Sequence, residues 1–169
     1  MDASRRDALF RGLFFAALLG GSLWLLMPSG LVGKPGPEID ALTLSGQPVH
    51  LSPGEPTLLS FWATWCGPCI AEMPVLEKVY QKFGHGPVRF LAVDVDEPTR
   101  EQRLAVSEFV EMRHFSLPVA LDQGGLAKKY QVTTIPHLVL IDRAGMVIKV
   151  FHGGASEAEL DEALQSLAK

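Results

Sequence analysis

The chain has 169 residues, 47% of them hydrophobic and 20% charged, with a formal net charge of −4. That length suits one folded domain plus a short targeting element, and the composition excludes a disordered or low-complexity chain. An acidic balance without a basic stripe excludes nucleic acid as a partner.

Residues 1–11 carry Arg5, Arg6 and Arg11, whereas Gly12 to Gly33 contains no charged side chain and Gly12–Met27 is almost purely apolar. A helix needs about 20 such residues to cross a bilayer. Basic residues on the N-terminal side keep that end in the cytoplasm and send the remainder outward. Residues 12–32 therefore read as a single-pass signal anchor, with Trp24 and the Pro28-Ser29-Gly30 break at its outer interface. A cleaved signal peptide is the competing reading, but its clearest small-residue triplet, Gly20-Gly21-Ser22, has Leu23-Trp24-Leu25-Leu26 still to come. Both readings export the rest of the chain. Residues 33–38, rich in glycine and proline, follow as a linker, and 39–169 as the domain.

The domain alternates strand and helix. Ile39–Leu44 and Val49–Leu51 flank Ser45-Gly46 as a hairpin, and Thr57–Ala63 is an apolar run of strand length. From Cys66 to Phe83 the period becomes helical, with Met73, Leu76, Tyr80 and Phe83 on one face and Pro74 expected to kink it. Val88–Val93 is a second buried strand, for which Asp94 and Asp96 read as a polar stop. Thr99 with Gln102 has the form of a capping box opening a helix to about Arg113. Val119–Leu121 is a short strand, Leu126–Tyr130 a turn or two of helix. His137–Ile141 and Val147–Phe151 bracket a hairpin turn at Arg143-Ala144-Gly145. Ser156 with Glu159 caps a last helix carrying Leu160, Ala163, Leu164 and Leu167. The order implies an α/β sandwich: a central mixed sheet with an added N-terminal hairpin and helices on both faces.

The chemistry lies where the strand Thr57–Ala63 gives way to its helix, at Trp65-Cys66-Gly67-Pro68-Cys69. These are the only two cysteines in the chain. Spacing i, i+3 puts both sulfurs on one helical turn, close enough to form a disulfide. Cys66 sits at the helix start, where free N–H groups and the helix dipole stabilise a thiolate. Pro68 fits early in a helix, where its missing N–H is harmless. Cys69 is placed to attack the mixed disulfide that Cys66 forms. A purely structural bridge closing so short a loop would constrain the unfolded chain little. A lone pair of cysteines is weak for a metal. The expectation is thiol–disulfide exchange with Cys66 as nucleophile and Cys69 resolving, with no cofactor and no metal.

Phe61-Trp62-Ala63-Thr64-Trp65-Cys66-Gly67-Pro68-Cys69 resembles the active-site stretch of thioredoxin-fold proteins. Cys69-Ile70-Ala71-Glu72-Met73-Pro74, Ala92-Val93-Asp94-Val95-Asp96, Leu117-Pro118-Val119 and Ile135-Pro136 extend the resemblance to the membrane-anchored TlpA/ResA/DsbE-like branch. The resemblance implies a thioredoxin-like three-layer sandwich and a protein-disulfide reductase in the bacterial inner membrane with its catalytic domain outside. It implies substrates among cysteine-containing exported proteins, as in cytochrome c maturation, and a membrane-embedded electron donor such as a DsbD/CcdA-like protein. It also implies that Pro136 is cis and that the Ile135 backbone pairs with substrate beside Trp65, Gly67 and Pro68. Glu72 is implied as a proton-transfer residue; an exposed helix glutamate is the plain alternative. Thioredoxin's buried aspartate six residues before its first cysteine is replaced by Ser60. His137, after the proline, could lie near Cys66. A thioredoxin-fold copper chaperone is the second functional reading, against which the CxxC spacing argues, since that group uses CxxxC.

Overall fold

A computed structural model describes residues 30–50, 54–123 and 125–167. The expected transmembrane segment, apart from residues 30–32, lies outside them. Among the described residues no helix is long and apolar enough to cross a membrane.

Eleven elements follow one another: β1 (Asp40–Thr43), β2 (Pro48–His50), β3 (Thr57–Trp62), α1 (Gly67–Phe83), β4 (Arg89–Asp94), α2 (Arg100–Met112), β5 (Val119–Leu121), α3 (Leu126–Lys129), β6 (His137–Ile141), β7 (Val147–His152) and α4 (Glu157–Leu167). The strands form one sheet in the order β2-β1-β5-β4-β3-β6-β7. β3, β4 and β5 run parallel, while β6 lies antiparallel to β3 and β7 antiparallel to β6. β1 pairs antiparallel with both β2 and β5. The sheet is mixed because the α1 and α2 connections return the chain to parallel partners, whereas the tight turn at Arg143-Ala144-Gly145 reverses it.

β3 occupies the centre, and all six of its residues are buried. Alternation sends Leu58 and Trp62 to one face, where they meet Met73, Leu76 and Val79 of α1, Val106 of α2 and Leu160, Leu164 and Leu167 of α4. Leu59 and Phe61 face the other way, against Leu126 and Tyr130 at α3 and Leu31 and Ile39 before β1. Each helix carries its apolar residues at the spacing that covers one face of the sheet. α1 continues through Pro74, whose missing N–H withholds the usual partner of the Ile70 carbonyl.

The segment 33–38, expected as a linker, is instead held against the β6–β7 turn. Gly33 N–H donates to the Val147 carbonyl, Val147 N–H to the Lys34 carbonyl and Gly36 N–H to the Gly145 carbonyl, at 2.8–2.9 Å. Leu31 is buried in the core of that face, and the Tyr130 hydroxyl donates to the Pro37 carbonyl at 2.6 Å. The domain therefore begins by Leu31. Glycine and proline give this segment its irregular path, but its backbone groups find partners all the same.

Candidate functional site

β3 ends at Trp62, and Ala63-Thr64-Trp65 turn the chain into α1. Cys66 caps the helix in an extended conformation, and its sulfur accepts the Cys69 N–H at 3.2 Å. The same N–H would stabilise a thiolate on Cys66, joined by the dipole of a 17-residue helix. Gly67 and Pro68 form the first helical positions, exposed, and Cys66 and Cys69 are joined in a disulfide with Cα atoms 5.2 Å apart. Cys69 is 1% exposed and Cys66 5%, whereas Trp65 is 71% exposed. Cys66 is thus the less buried of the two cysteines, beside a large exposed ring.

The Ile135–Pro136 bond is cis. Pro136 precedes β6, whose residue His137 pairs with Phe61. Pro136 consequently lies at the same end of the sheet as the dithiol, and Ile135 packs on the cluster that contains both cysteines.

Glu72 is buried at 8% exposure, not on a solvated face. Its Oε1 accepts the Ala155 N–H at 2.6 Å, and Oε2 has no partner. A Cβ on Gly154 would stand 2.9 Å from Glu72 Oε1 and 3.4 Å from the Pro136 ring, and Gly154 has φ of +97°. A glycine there lets carboxyl and proline ring approach the same backbone. Burial raises the Glu72 pKa above the ordinary carboxylate value, partly offset by the Ala155 hydrogen bond.

His137 does not join the site. It shares the sheet face of Phe61, with ring centroids 6.1 Å apart, and meets His152 edge-on at 4.8 Å. That face is the one opposite α1, because odd-numbered positions of β6 point away from the dithiol helix. The expectation of a place near Cys66 is corrected accordingly. Ser60 faces α1 but is buried with its hydroxyl unpartnered. Among the described residues no group of three or more His, Cys, Asp or Glu is gathered to hold a metal.

Sequence reasoning missed one feature. Asp94 and Asp96 do more than end β4. Asp96 Oδ2 accepts both the N–H and the hydroxyl of Thr64 at 2.9 Å, and Asp96 N–H donates to Asp94 Oδ1. Gln102, read as half of a capping box, directs its amide to the Thr64 hydroxyl. The legible signal was Thr64 itself, a hydroxyl two residues before the nucleophile.

The redoxin family model matches residues 31–167. The chain belongs to the redoxin family. This redoxin is 35% identical over 139 residues to the thiol-disulfide oxidoreductase ResA of Bacillus thuringiensis subsp. konkukian, covering 80% of this chain and 78% of that one. It is similar to the crystal structure of StoA from Bacillus subtilis, with TM-score 0.67, 26% identity and coverage of 75% and 96%. It is also similar to a thiol:disulfide interchange protein from Chlorobium tepidum, with TM-score 0.71, 25% identity and coverage of 80% and 96%. The resemblance to the TlpA/ResA/DsbE-like branch holds, and the redoxin is a thiol–disulfide oxidoreductase with a Cys66–Cys69 redox disulfide. The family match begins at Leu31, where the folded domain begins.

The displaced histidine yields a test of its own. Burial, with His152 beside it, lowers the His137 pKa from 6.5 to about 4. On unfolding the ring regains its ordinary value, so the unfolded chain binds the extra proton in that window. The stability contributed by the neutral ring is present above about pH 6.5 and lost as pH falls towards 4. Glu72 and Asp94, both shifted upward, act in the opposite sense, so the difference between two proteins is the quantity to measure. In urea unfolding across this window, His137→Phe is expected to lose less stability on acidification than the wild type. Parallel curves for the two would remove His137 from the acid response.

Proposed function

We propose that this redoxin is a reductant of cysteines in exported proteins, anchored in the bacterial inner membrane by residues 12–32 with its dithiol outside. The observation that carries the direction of electron flow is the acidic character of the buried groups beside the dithiol helix. On the dithiol side of the sheet the buried ionisable side chains, apart from the two cysteines, are Glu72, Asp94 and Asp96, all carboxyls, and no Lys or Arg among the described residues is buried. Ionised carboxyls disfavour a nearby thiolate and protonated ones offer it no countercharge, so in neither state do these groups supply the positive charge that would stabilise the reduced form and raise the potential. An oxidant would need the reverse, a reduced form stabilised by its surroundings. The apolar run after Arg5, Arg6 and Arg11 supports export. Maturation of c-type cytochromes is the pathway the resemblance favours, with electrons supplied by a membrane-embedded donor of the DsbD/CcdA kind.

Exchange begins when the Cys66 thiolate attacks a substrate disulfide. One substrate sulfur leaves as a thiolate and takes a proton, and a mixed disulfide to Cys66 remains. Cys69 then attacks Cys66, the Cys66–Cys69 bond forms, and the second substrate sulfur leaves. Trp65, Gly67 and Pro68 flank the nucleophile, and an extended substrate segment pairs with the Ile135 backbone before cis Pro136. Glu72, beside Pro136 and one turn from Cys69, accepts and returns the proton that Cys69 gives up.

Equilibration of the full-length chain with a thiol buffer is expected to give a potential near thioredoxin's, about −270 mV, and not near DsbA's, about −120 mV. A value at the oxidising end would reverse the direction. In cells, Cys69→Ser should accumulate mixed disulfides in the membrane fraction, because the second attack is removed. Cys66→Ser should accumulate almost none. Recovery of the adducts on a soluble form starting after Met27 would show that the anchor is a cleaved signal.

Glu72→Gln keeps the shape and the bond to Ala155 while removing the exchangeable proton. It is expected to slow turnover on the order of a hundredfold and to erase one inflection, above the ordinary carboxylate range, from the pH–rate profile. A profile identical to wild type would leave Glu72 a structural residue only.

A further inference from the structure

Asp94 is 1% exposed at the end of β4. It pairs in register with Trp62, and like Phe90 and Ala92 it points to the sheet face that α1 covers. Its register partner Trp62 belongs to the apolar cluster of that face, which includes Ala63 and both cysteines, and a carboxylate buried on such a face is costly. One carboxyl oxygen accepts the Asp96 N–H, and the other, buried, has no partner. Asp96 in turn grips Thr64 by backbone and hydroxyl together, and Thr64 begins the turn that delivers Cys66. Gln102 completes the chain from α2. The network therefore runs from a buried acid to the loop of the nucleophile without a break.

We propose that Asp94 and Asp96 are positioning residues of the exchange reaction, an acid pair that fixes the Cys66 loop through Thr64 and couples reduction of the disulfide to its own protonation. The proposal rests on disulfide exchange at Cys66–Cys69 and gives a role to residues outside the Cys66–Cys69 stretch. Reduction adds two electrons, supplied by a donor dithiol, and one proton to give a Cys66 thiolate and a Cys69 thiol. The new negative charge makes Asp94 hold its proton more tightly. Where Asp94 would otherwise ionise, reduction then takes up one further proton from solvent. Burial and the Asp96 charge raise the Asp94 pKa to about 8, so this uptake falls in the alkaline range.

Few other groups compete. Just past β4 stands the Asp96 carboxylate, and α1 brings the two cysteines. α2 offers Gln102 and Val106, which do not titrate. β5 ends at Asp122, which donates its N–H to the Asp94 carbonyl while its carboxylate caps the Leu126 and Ala127 N–H groups of α3. Glu72 is engaged with Ala155.

The test is the potential of the full-length chain, equilibrated with glutathione across pH 6 to 10. The wild type is expected to show a steeper segment around pH 8, worth one extra proton per two electrons. Asp94→Asn, which resembles the protonated acid, should lose that segment. Asp96→Asn should move it to lower pH, since the charge that helps raise Asp94 is gone. Identical curves for the three proteins, or a wild-type curve without the segment, would overturn the proposal. A wild type that never equilibrates with glutathione would instead strike down the exchange reading itself. Should Asp94→Asn fail to fold, the redox-difference infrared spectrum of Glu72→Gln decides. It should contain a protonated-carboxyl band that shifts on reduction, and a spectrum with no such band, or with one that does not move, overturns the pair.

Discussion

Strand β3 has neighbours on both edges and side chains packed on both faces, so its register has no freedom. A slip of one residue would exchange Leu58 and Trp62 with Leu59 and Phe61, and both cores would lose their fit. Everything chemical follows from that constraint. The strand's end fixes where the chain leaves the sheet, and Cys66 stands four residues later at the start of α1. The same register brings Pro136 and Asp94 to that end, one from an antiparallel neighbour and the other from a parallel one.

Around this frame the molecule accepts several polar groups that burial penalises. Ser60, Trp62, Glu72, Asp94 and His137 each keep a buried polar atom without a partner among the described residues. Four of the five lie on the dithiol side, which is where unfavourable solvation can influence the stability of a thiolate. His137 is the exception. It lies opposite the dithiol, whereas the carboxyls are the groups proposed to bear on the reaction.

Much of this was legible in the residues. Two cysteines at i, i+3 after a buried strand announce their chemistry, and the capping pair Ser156 and Glu159 bonds as its spacing implies. Glu72 was legible in position but not in environment, since its burial depends on Gly154 and Ala155, more than 80 residues away. Asp94 and Asp96 read as a strand stop because a strand's end is where carboxylates usually meet water. What overrides this is the return of the Thr64 turn over them, a contact between distant parts of the chain. The segment 33–38 misled for a related reason: glycine and proline exclude helix, but they do not exclude a docked, irregular strand.

That docked segment has a mechanical side. Its bonds to Gly145 and Val147 lie beyond the β6 end where Ile141 pairs with Thr57, the opposite end of β3 from the dithiol. The six residues of β3 separate the two ends by about 17 Å at the usual strand rise. A pull on the chain ahead of Leu31 is therefore taken up first by the three backbone hydrogen bonds to the β6–β7 turn and by the seating of Leu31. Load on the residues ahead of Leu31 enters the domain at one pole while the disulfide works at the other, so it meets these bonds before it reaches the loop that aims the sulfur.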